Sequence, residues 1–490
     1  MAQSKTFFNF APENDTEMKE TLIGREVEKK RLLQYIASDK SEFIAVYGRR
    51  RVGKTFLVKQ VLAQDFAFCV TGMANVTNKE QLKNFQLAMQ RYCDCPDVPK
   101  DWLSAFQMLE NYLESLAVGA KIVFIDEMPW MDGKGSGFVS ALEHFWNGWA
   151  SYRTDIKLIV CGSSTSWILN KIIKNRGGLH NRVTHQILVS PFKLRECESF
   201  FKTNGFGYER EEIAECYMAL GGIPYYLSLF EQDKSVAQNI DAICFSRGAE
   251  LGMEFDNLYS SLFKRANNHI AIVNALASKG MGMTRLQLLK ATGSVNNGNF
   301  TTTLRELEQC EFIRSYTPFG KTKKDALYQL IDPFTLFYFK YMKDRSSTQR
   351  QFWIKMQGTP TYANWCGYAF EILCLHHIDQ ILSALGIGGM RNTPCSWSFA
   401  GNGERKGSQI DLLIDRADKT INICEMKYTR HEFEITKDYD SVLHNKIETF
   451  RKETGTKKSL MLTMVASAGL QDNMYSRRLQ KVVTLDDLFA

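Results

Sequence analysis

Phe43-Ile44-Ala45-Val46-Tyr47-Gly48-Arg49-Arg50-Arg51-Val52-Gly53-Lys54-Thr55 is the stretch that decides the fold. An apolar run leads into G-x-x-x-x-G-K-T, and Phe56 to Ala63 continue with helical spacing. The run reads as a buried strand, and the loop turns so that successive backbone N–H groups face one anionic centre, backed by the positive end of the next helix. Gly48, Arg49, Arg50, Arg51, Val52 and Gly53 would then cradle phosphates. Lys54 would reach the β- and γ-phosphates and the Thr55 hydroxyl would ligate Mg²⁺. The expected ligand is ATP.

Working outward, Lys121-Ile122-Val123-Phe124-Ile125-Asp126-Glu127 reads as a strand covered on both faces that ends in acids. Asp126 is placed to hold Mg²⁺, and Glu127 to polarise an attacking water. A third apolar strand, Ile156 to Gly162, ends at Ser163-Ser164. There the Ser163 hydroxyl suits a γ-phosphate sensor and suits a helix cap almost as well. Arg176 and Arg182 follow, and Arg182 is a candidate for stabilising transition-state charge.

The chain has 490 residues, enough for two to four domains. Its apolar content of 44% and charged content of 23% are those of globular protein. No apolar run approaches the length of a membrane span, and Met1 to Thr6 lacks the features of a secretory leader, so a cytoplasmic protein with no membrane partner is expected. Twelve scattered cysteines, with Cys93 and Cys95 as the one close pair, fit reduced thiols better than a disulfide or zinc framework. The net charge of +7 permits nucleic-acid binding without requiring it.

The strand-helix alternation gives way to helices alone near residues 235 to 265. From His269 the pattern becomes helix, short helix capped by Thr284, and helix Asn299 to Cys310. Two strands then flank a turn carrying Lys321, Lys323 and Lys324. That order predicts a winged helix-turn-helix with a basic wing contacting phosphates. The expected reading helix carries Glu306 and Glu308, which suits base recognition poorly, and a connector or protein-contact role fits the same pattern.

Near the end, Ser408 to Asp415 and Thr420 to Lys427 predict a hairpin on which Asp411 and Glu425 meet, with Lys427 facing the same way as Glu425. Two carboxylates on neighbouring strands suit Mg²⁺ or Mn²⁺, and a lysine beside them can orient water on a phosphodiester. This is the D-x(n)-E-x-K pattern. Glu371, on an otherwise apolar helix, is the candidate third acid.

Leu22-Ile23-Gly24-Arg25-Glu26, the G-R-R-R-V-G-K-T loop, Ile125-Asp126-Glu127 and Gly222-Ile223-Pro224 together resemble the archaeal-type ATPases of the STAND branch of the AAA+ class. The resemblance implies that Pro224 lies in a helical lid near the base. The last third, with Leu330-Ile331-Asp332-Pro333-Phe334, resembles the DUF234-type domain that accompanies such ATPases, and implies a PD-(D/E)xK nuclease-like fold. The expected architecture is α/β: a P-loop ATPase core with a parallel sheet over 1–190, a helical lid over 191–262, a winged helix-turn-helix over 263–345, and a C-terminal α/β restriction-endonuclease-like domain over 346–490. Glu127, Arg182, Asp411, Glu425 and Lys427 are the expected catalytic residues. The expected metal ligands are Thr55 and Asp126 at the first centre, and Glu371, Asp411 and Glu425 at the second. An ATPase coupled to a metal-dependent nuclease acting on nucleic acid, DNA ahead of RNA, is one reading, with a homo-oligomer as a further partner. An ATP-regulated DNA-binding or signalling scaffold with an inactive nuclease fold is the alternative, because no Q-x-x-x-Y element follows Lys427. An ATPase whose partner is another protein is a third.

Overall fold

The computed structural model describes residues 22–95, 97–174, 177–344, 351–401 and 407–490. The segment 1–6 and Arg176 lie outside the described residues.

The first sheet has strands β1 (Glu42–Tyr47), β2 (Phe66–Thr71), β3 (Lys121–Asp126), β4 (Ile156–Gly162) and β5 (His185–Leu188), in the order β2-β3-β4-β1-β5. All neighbours run parallel. Every residue of β3 and β4 is buried, as their apolar runs predict for strands covered on both faces. Alternation divides β1 between two cores: Phe43 and Ala45 pack with helices Asn78–Met89, Trp102–Ser115 and Phe138–Gly148, while Ile44 and Val46 face the opposite layer. Parallel pairing brings the carboxyl ends of β1, β3 and β4 to one edge. Ligands of open α/β sheets bind at that edge.

Residues 191–262 form helices only: Leu194–Thr203, Arg210–Leu220, Pro224–Leu227, Val236–Phe245 and Glu254–Leu262. They join the core through Gly222, whose carbonyl accepts from Phe192 N–H at 2.6 Å.

Helices Ala266–Ala277, Arg285–Thr292 and Gly298–Gln309 follow, with Thr284 capping the second. β7 (Ile313–Tyr316) and β8 (Leu327–Leu330) are the two expected strands, and a short β6 (Met283–Thr284) adds to β8, giving the order β6-β8-β7. The β7–β8 hairpin does not stand free. Phe319 N–H donates to the Ser396 carbonyl (2.8 Å), and its ring packs 5.2 Å from Phe450.

The C-terminal unit places helix Pro360–His376 on a sheet of β9 (Asn392–Phe399), β10 (Ser408–Arg416), β11 (Thr420–Lys427), β12 (Ser459–Ala466) and β13 (Lys481–Val483), in the order β13-β12-β11-β10-β9. β9, β10 and β11 are antiparallel neighbours, whereas β12 and β13 run parallel to β11. Helix Lys437–Thr454 connects β11 to β12. One apolar core runs from Ile44 and Val46 through the lid and the three-helix unit to Phe370 and Val465. Among the described residues no helix is long and apolar enough to cross a membrane.

The lid junction is sensitive to one atom, since a Cβ built on Gly222 falls 1.9 Å from the Phe192 carbonyl oxygen, a backbone atom that cannot swing aside. Gly222→Ala is expected to lower the thermal midpoint by several degrees, a cost of about 2 kcal/mol or more. An unchanged midpoint would show that this junction relaxes freely.

Candidate nucleotide site and C-terminal acid cluster

The loop after β1 has the shape its glycines require. Gly48 has φ 150° and a Cβ there would lie 2.1 Å from the Val189 carbonyl oxygen, so only glycine fits. Arg51 (φ 71°) and Gly53 (φ 87°) also adopt left-handed backbone, and helix Lys54–Leu62 starts immediately behind. Lys54 is buried and donates from Nζ to the Arg49 carbonyl at 2.8 Å, spanning its own loop. Burial lowers its ammonium pKa, opposed by Glu127 and Asp126 among others.

The three loop arginines were expected to serve the nucleotide as a group, but two side chains are committed elsewhere. Arg49 is 3% exposed and forms an ion pair with Asp332, while its guanidinium lies 4.7 Å from the Phe312 ring centroid. Arg51 Nη2 lies 2.8 Å from Glu254 Oε2, with its guanidinium 4.0 Å over Tyr225. Tyr226 donates from Oη to the other Glu254 oxygen at 2.9 Å. Pro224 begins the four-residue helix that sets Tyr225 and Tyr226 in these positions. The lid and the three-helix unit therefore each hold the loop through one arginine. Arg25, missed as a site residue, holds it from a third side by donating from Nη2 to the Val52 carbonyl (3.1 Å).

Asp126 and Glu127 stand at the end of β3 as their sequence position predicts. Thr55 Oγ1 donates to the Asp126 carboxylate at 2.9 and 3.1 Å. Burial, then the neighbouring Glu127, raises the Asp126 pKa. Glu127 has left-handed backbone (φ 45°) and accepts from Ser163 Oγ at 2.9 and 2.8 Å. Ser163 thus orients Glu127 in this structure. Arg182 is not brought to this group: it is exposed, two residues before Thr184, whose N–H donates to the Phe43 carbonyl at the start of β1. The loop lies beyond the other end of that strand, roughly 15 Å away at strand rise. The in-chain catalytic role expected for Arg182 is not supported, because parallel pairing puts it on the opposite edge of the sheet.

The second centre departs further from expectation. Asp411 and Glu371 line a cavity of about 90 Å³ against β7 and β8. Glu425 is occupied instead by helix Lys437–Thr454, accepting from Lys446 Nζ (2.6 Å) and Tyr439 Oη (2.7 Å), with Lys427 Nζ at 3.2 Å from the same carboxylate. Among the described residues no three His, Cys, Asp or Glu side chains gather closely enough to hold a metal ion. The expected metal set of Glu371, Asp411 and Glu425 does not assemble, because cations and a phenol satisfy Glu425. Tyr439 and Lys446 were missed, although Tyr439, Leu443, Lys446 and Phe450 recur at helical spacing on one face.

Fold and site together are those of a P-loop ATPase. A family model described as an ATPase domain predominantly from Archaea matches residues 22–230. An uncharacterized protein of Methanocaldococcus jannaschii is 26% identical over 418 residues, covering 83% of this chain and 87% of that protein. Among solved structures, a Walker-type ATPase of Pyrococcus abyssi is 18% identical, with TM-score 0.51, covering 66% of this chain and 97% of that one. The ORC2 protein of Aeropyrum pernix is 14% identical, with TM-score 0.42, covering 66% and 95%.

Asp332→Ala leaves the Arg49 guanidinium buried without its acid, at a cost of about 3–5 kcal/mol. The thermal midpoint should fall, and Arg49→Met combined with Asp332→Leu should recover most of the loss. An additive loss would contradict the pairing. Burial, then Asp411 and Glu425, raises the Glu371 carboxyl pKa to about 8 from an ordinary 4.5. The folded chain keeps a proton that the unfolded chain releases, so stability falls as pH rises through that window. Glu371→Gln should therefore melt increasingly above wild type between about pH 5 and pH 9. A difference constant with pH would contradict the assignment.

Proposed function

We propose that this P-loop ATPase belongs to the STAND type and that its nucleotide cleft governs a C-terminal, nuclease-like unit that binds nucleic acid. The observation that carries the reading is the pairing of the two loop arginines with Asp332 and Glu254, one in each unit that follows the core. A change at the phosphates is mechanically a change at the lid and at the three-helix unit. ATP would draw Lys54 from the Arg49 carbonyl to its β- and γ-phosphates, while the N–H groups of the loop take the remaining phosphate charge. The Thr55 hydroxyl and Asp126 carboxylate, hard oxygen donors already in contact, fit Mg²⁺ accompanying ATP, which would neutralise developing phosphate charge. Glu127, steadied by Ser163, orients the attacking water. Arg182 would reach a γ-phosphate only in a neighbouring copy, which gives the homo-oligomer its place in the proposal.

Three features support the nucleic-acid reading of the last unit: the helix, antiparallel strands, helix and parallel strand order from Pro360 to Ala466, the Asp411, Glu425 and Lys427 placement, and the exposed Lys321, Lys323 and Lys324 beside it. The residues at Glu425 do not fit a three-acid metal site, so nucleic-acid binding is favoured over cleavage. Cleavage is the second reading, favoured by Glu371 and Asp411 sharing one cavity.

Glu127→Gln is expected to retain ATP binding while turnover falls by about 100-fold or more. Unchanged hydrolysis of radiolabelled ATP would remove Glu127 from its role. Labelled DNA and RNA incubated with Mg²⁺ or Mn²⁺ separate the two C-terminal readings: a wild-type cut lost in Asp411→Ala establishes cleavage, and binding without a cut supports the binding unit.

A further inference from the structure

The cavity bearing Glu371 and Asp411 is built by two units. One wall is Tyr368, Glu371 and Asp411 of the C-terminal unit, and the facing wall is Arg314, Tyr316 and Gln329 of the three-stranded sheet. Arg314 is positioned with care. Its Nε donates to Gln329 Oε1 at 2.7 Å, its guanidinium lies 4.5 Å from the Tyr316 ring centroid, and Gln329 is itself fixed by donating from Nε2 to the Gly280 carbonyl at 2.6 Å. Tyr316 is pinned in turn, donating from Oη to the Met281 carbonyl at 2.6 Å.

The neighbouring lysines are spoken for, because Lys446 and Lys427 both lie against Glu425. Arg314 differs. Burial depresses its guanidinium, and the groups that oppose this are Tyr316, Tyr368 and Cys395, with no carboxylate among them. A guanidinium held by its Nε at the wall of a cavity can offer its remaining N–H groups as a planar two-point donor suited to phosphate oxygens. The hairpin that follows Tyr316 carries Lys321, Lys323 and Lys324, all exposed, and it is docked beside the cavity because Phe319 N–H donates to the carbonyl of Ser396, a lining residue. The basic hairpin is therefore anchored to a residue of the cavity wall, not a free wing reaching for a groove of its own. The cavity, about 90 Å³, has room for a phosphate group.

We propose that Arg314 is the phosphate-binding residue of the C-terminal site, seating one phosphate of a nucleic-acid backbone in the cavity while Lys321, Lys323 and Lys324 hold the adjoining phosphates. This rests on the nucleic-acid reading given above and deepens it: the site is incomplete without the three-helix unit. Asp411, its Oδ1 accepting from Gln409 Nε2 (2.5 Å), sits opposite and opposes the bound charge when no divalent cation is present. Removing each charge must therefore move binding in opposite directions.

The test is fluorescence anisotropy of a labelled oligonucleotide of about one and a half turns' length on the full chain, in EDTA, with and without a 5′-phosphate and with inorganic phosphate as competitor. Arg314→Gln should weaken binding at least tenfold, Arg314→Lys should lose less, and Asp411→Asn should tighten it. Competition by millimolar inorganic phosphate would assign the cavity to any phosphate source, whereas a 5′-phosphate preference without such competition assigns it to a strand end. Binding by Arg314→Gln within twofold of a wild type that binds would overturn the role of Arg314 and leave the nucleic-acid reading standing. Absence of binding by wild type at low salt would overturn both. Circular dichroism and the thermal midpoint establish that each variant is folded, and Arg314→Lys carries the test if Arg314→Gln is not.

Discussion

The buried ion pair between Arg49 and Asp332 is the constraint on which the rest of the structure depends. It joins the phosphate loop to a residue 283 positions later, in a place from which water is excluded. Charges in such a place are stable together and costly apart. Asp332 is itself held, since its Oδ2 accepts from Thr335 N–H at 2.9 Å and from the Thr335 hydroxyl at 2.6 Å. Because the partner is a loop residue and not a core side chain, the three-helix unit is docked onto the phosphate loop itself. Arg51 and Glu254 repeat the device for the lid.

A short connection carries this constraint onward. Phe312, whose ring lies under Arg49, immediately precedes β7, and Arg314 two residues later lines the C-terminal cavity. Asp332 N–H and Ile331 N–H both donate to the Phe312 carbonyl, at 3.2 and 3.0 Å. The strand that feels the phosphate loop at one end therefore supplies the cationic wall of a second site at the other. The continuous apolar core, which does not divide at the expected boundaries, makes independent motion of these parts costly.

Much of the first site was legible because its signals are local. A strand, a glycine-bounded loop and a helix occur within a short window, and β3 announces its acids by a fully apolar run. The β10–β11 hairpin was legible for the same reason, with Leu412 opposite Cys424 as the alternation requires. What stayed hidden was long-range. Nothing near Arg49 announces Asp332, and nothing near Glu425 announces its contacts with Lys446 and Tyr439. The basic hairpin was read correctly as a turn, yet its docking against Ser396 depends on a sheet whose strand β9 has no motif of its own. Arg182 was misplaced because distance along a chain after a strand does not say which edge of the sheet the chain has returned to.

Whether phosphate-loop occupancy is felt at the lid and along β7 can be read by hydrogen exchange with and without a non-hydrolysable ATP analogue. Altered protection is expected at residues 254–262 and 310–316 together with residues 48–55. Changes confined to the loop and to residues 126–127, with the two remote segments unaffected at saturating analogue, would contradict it.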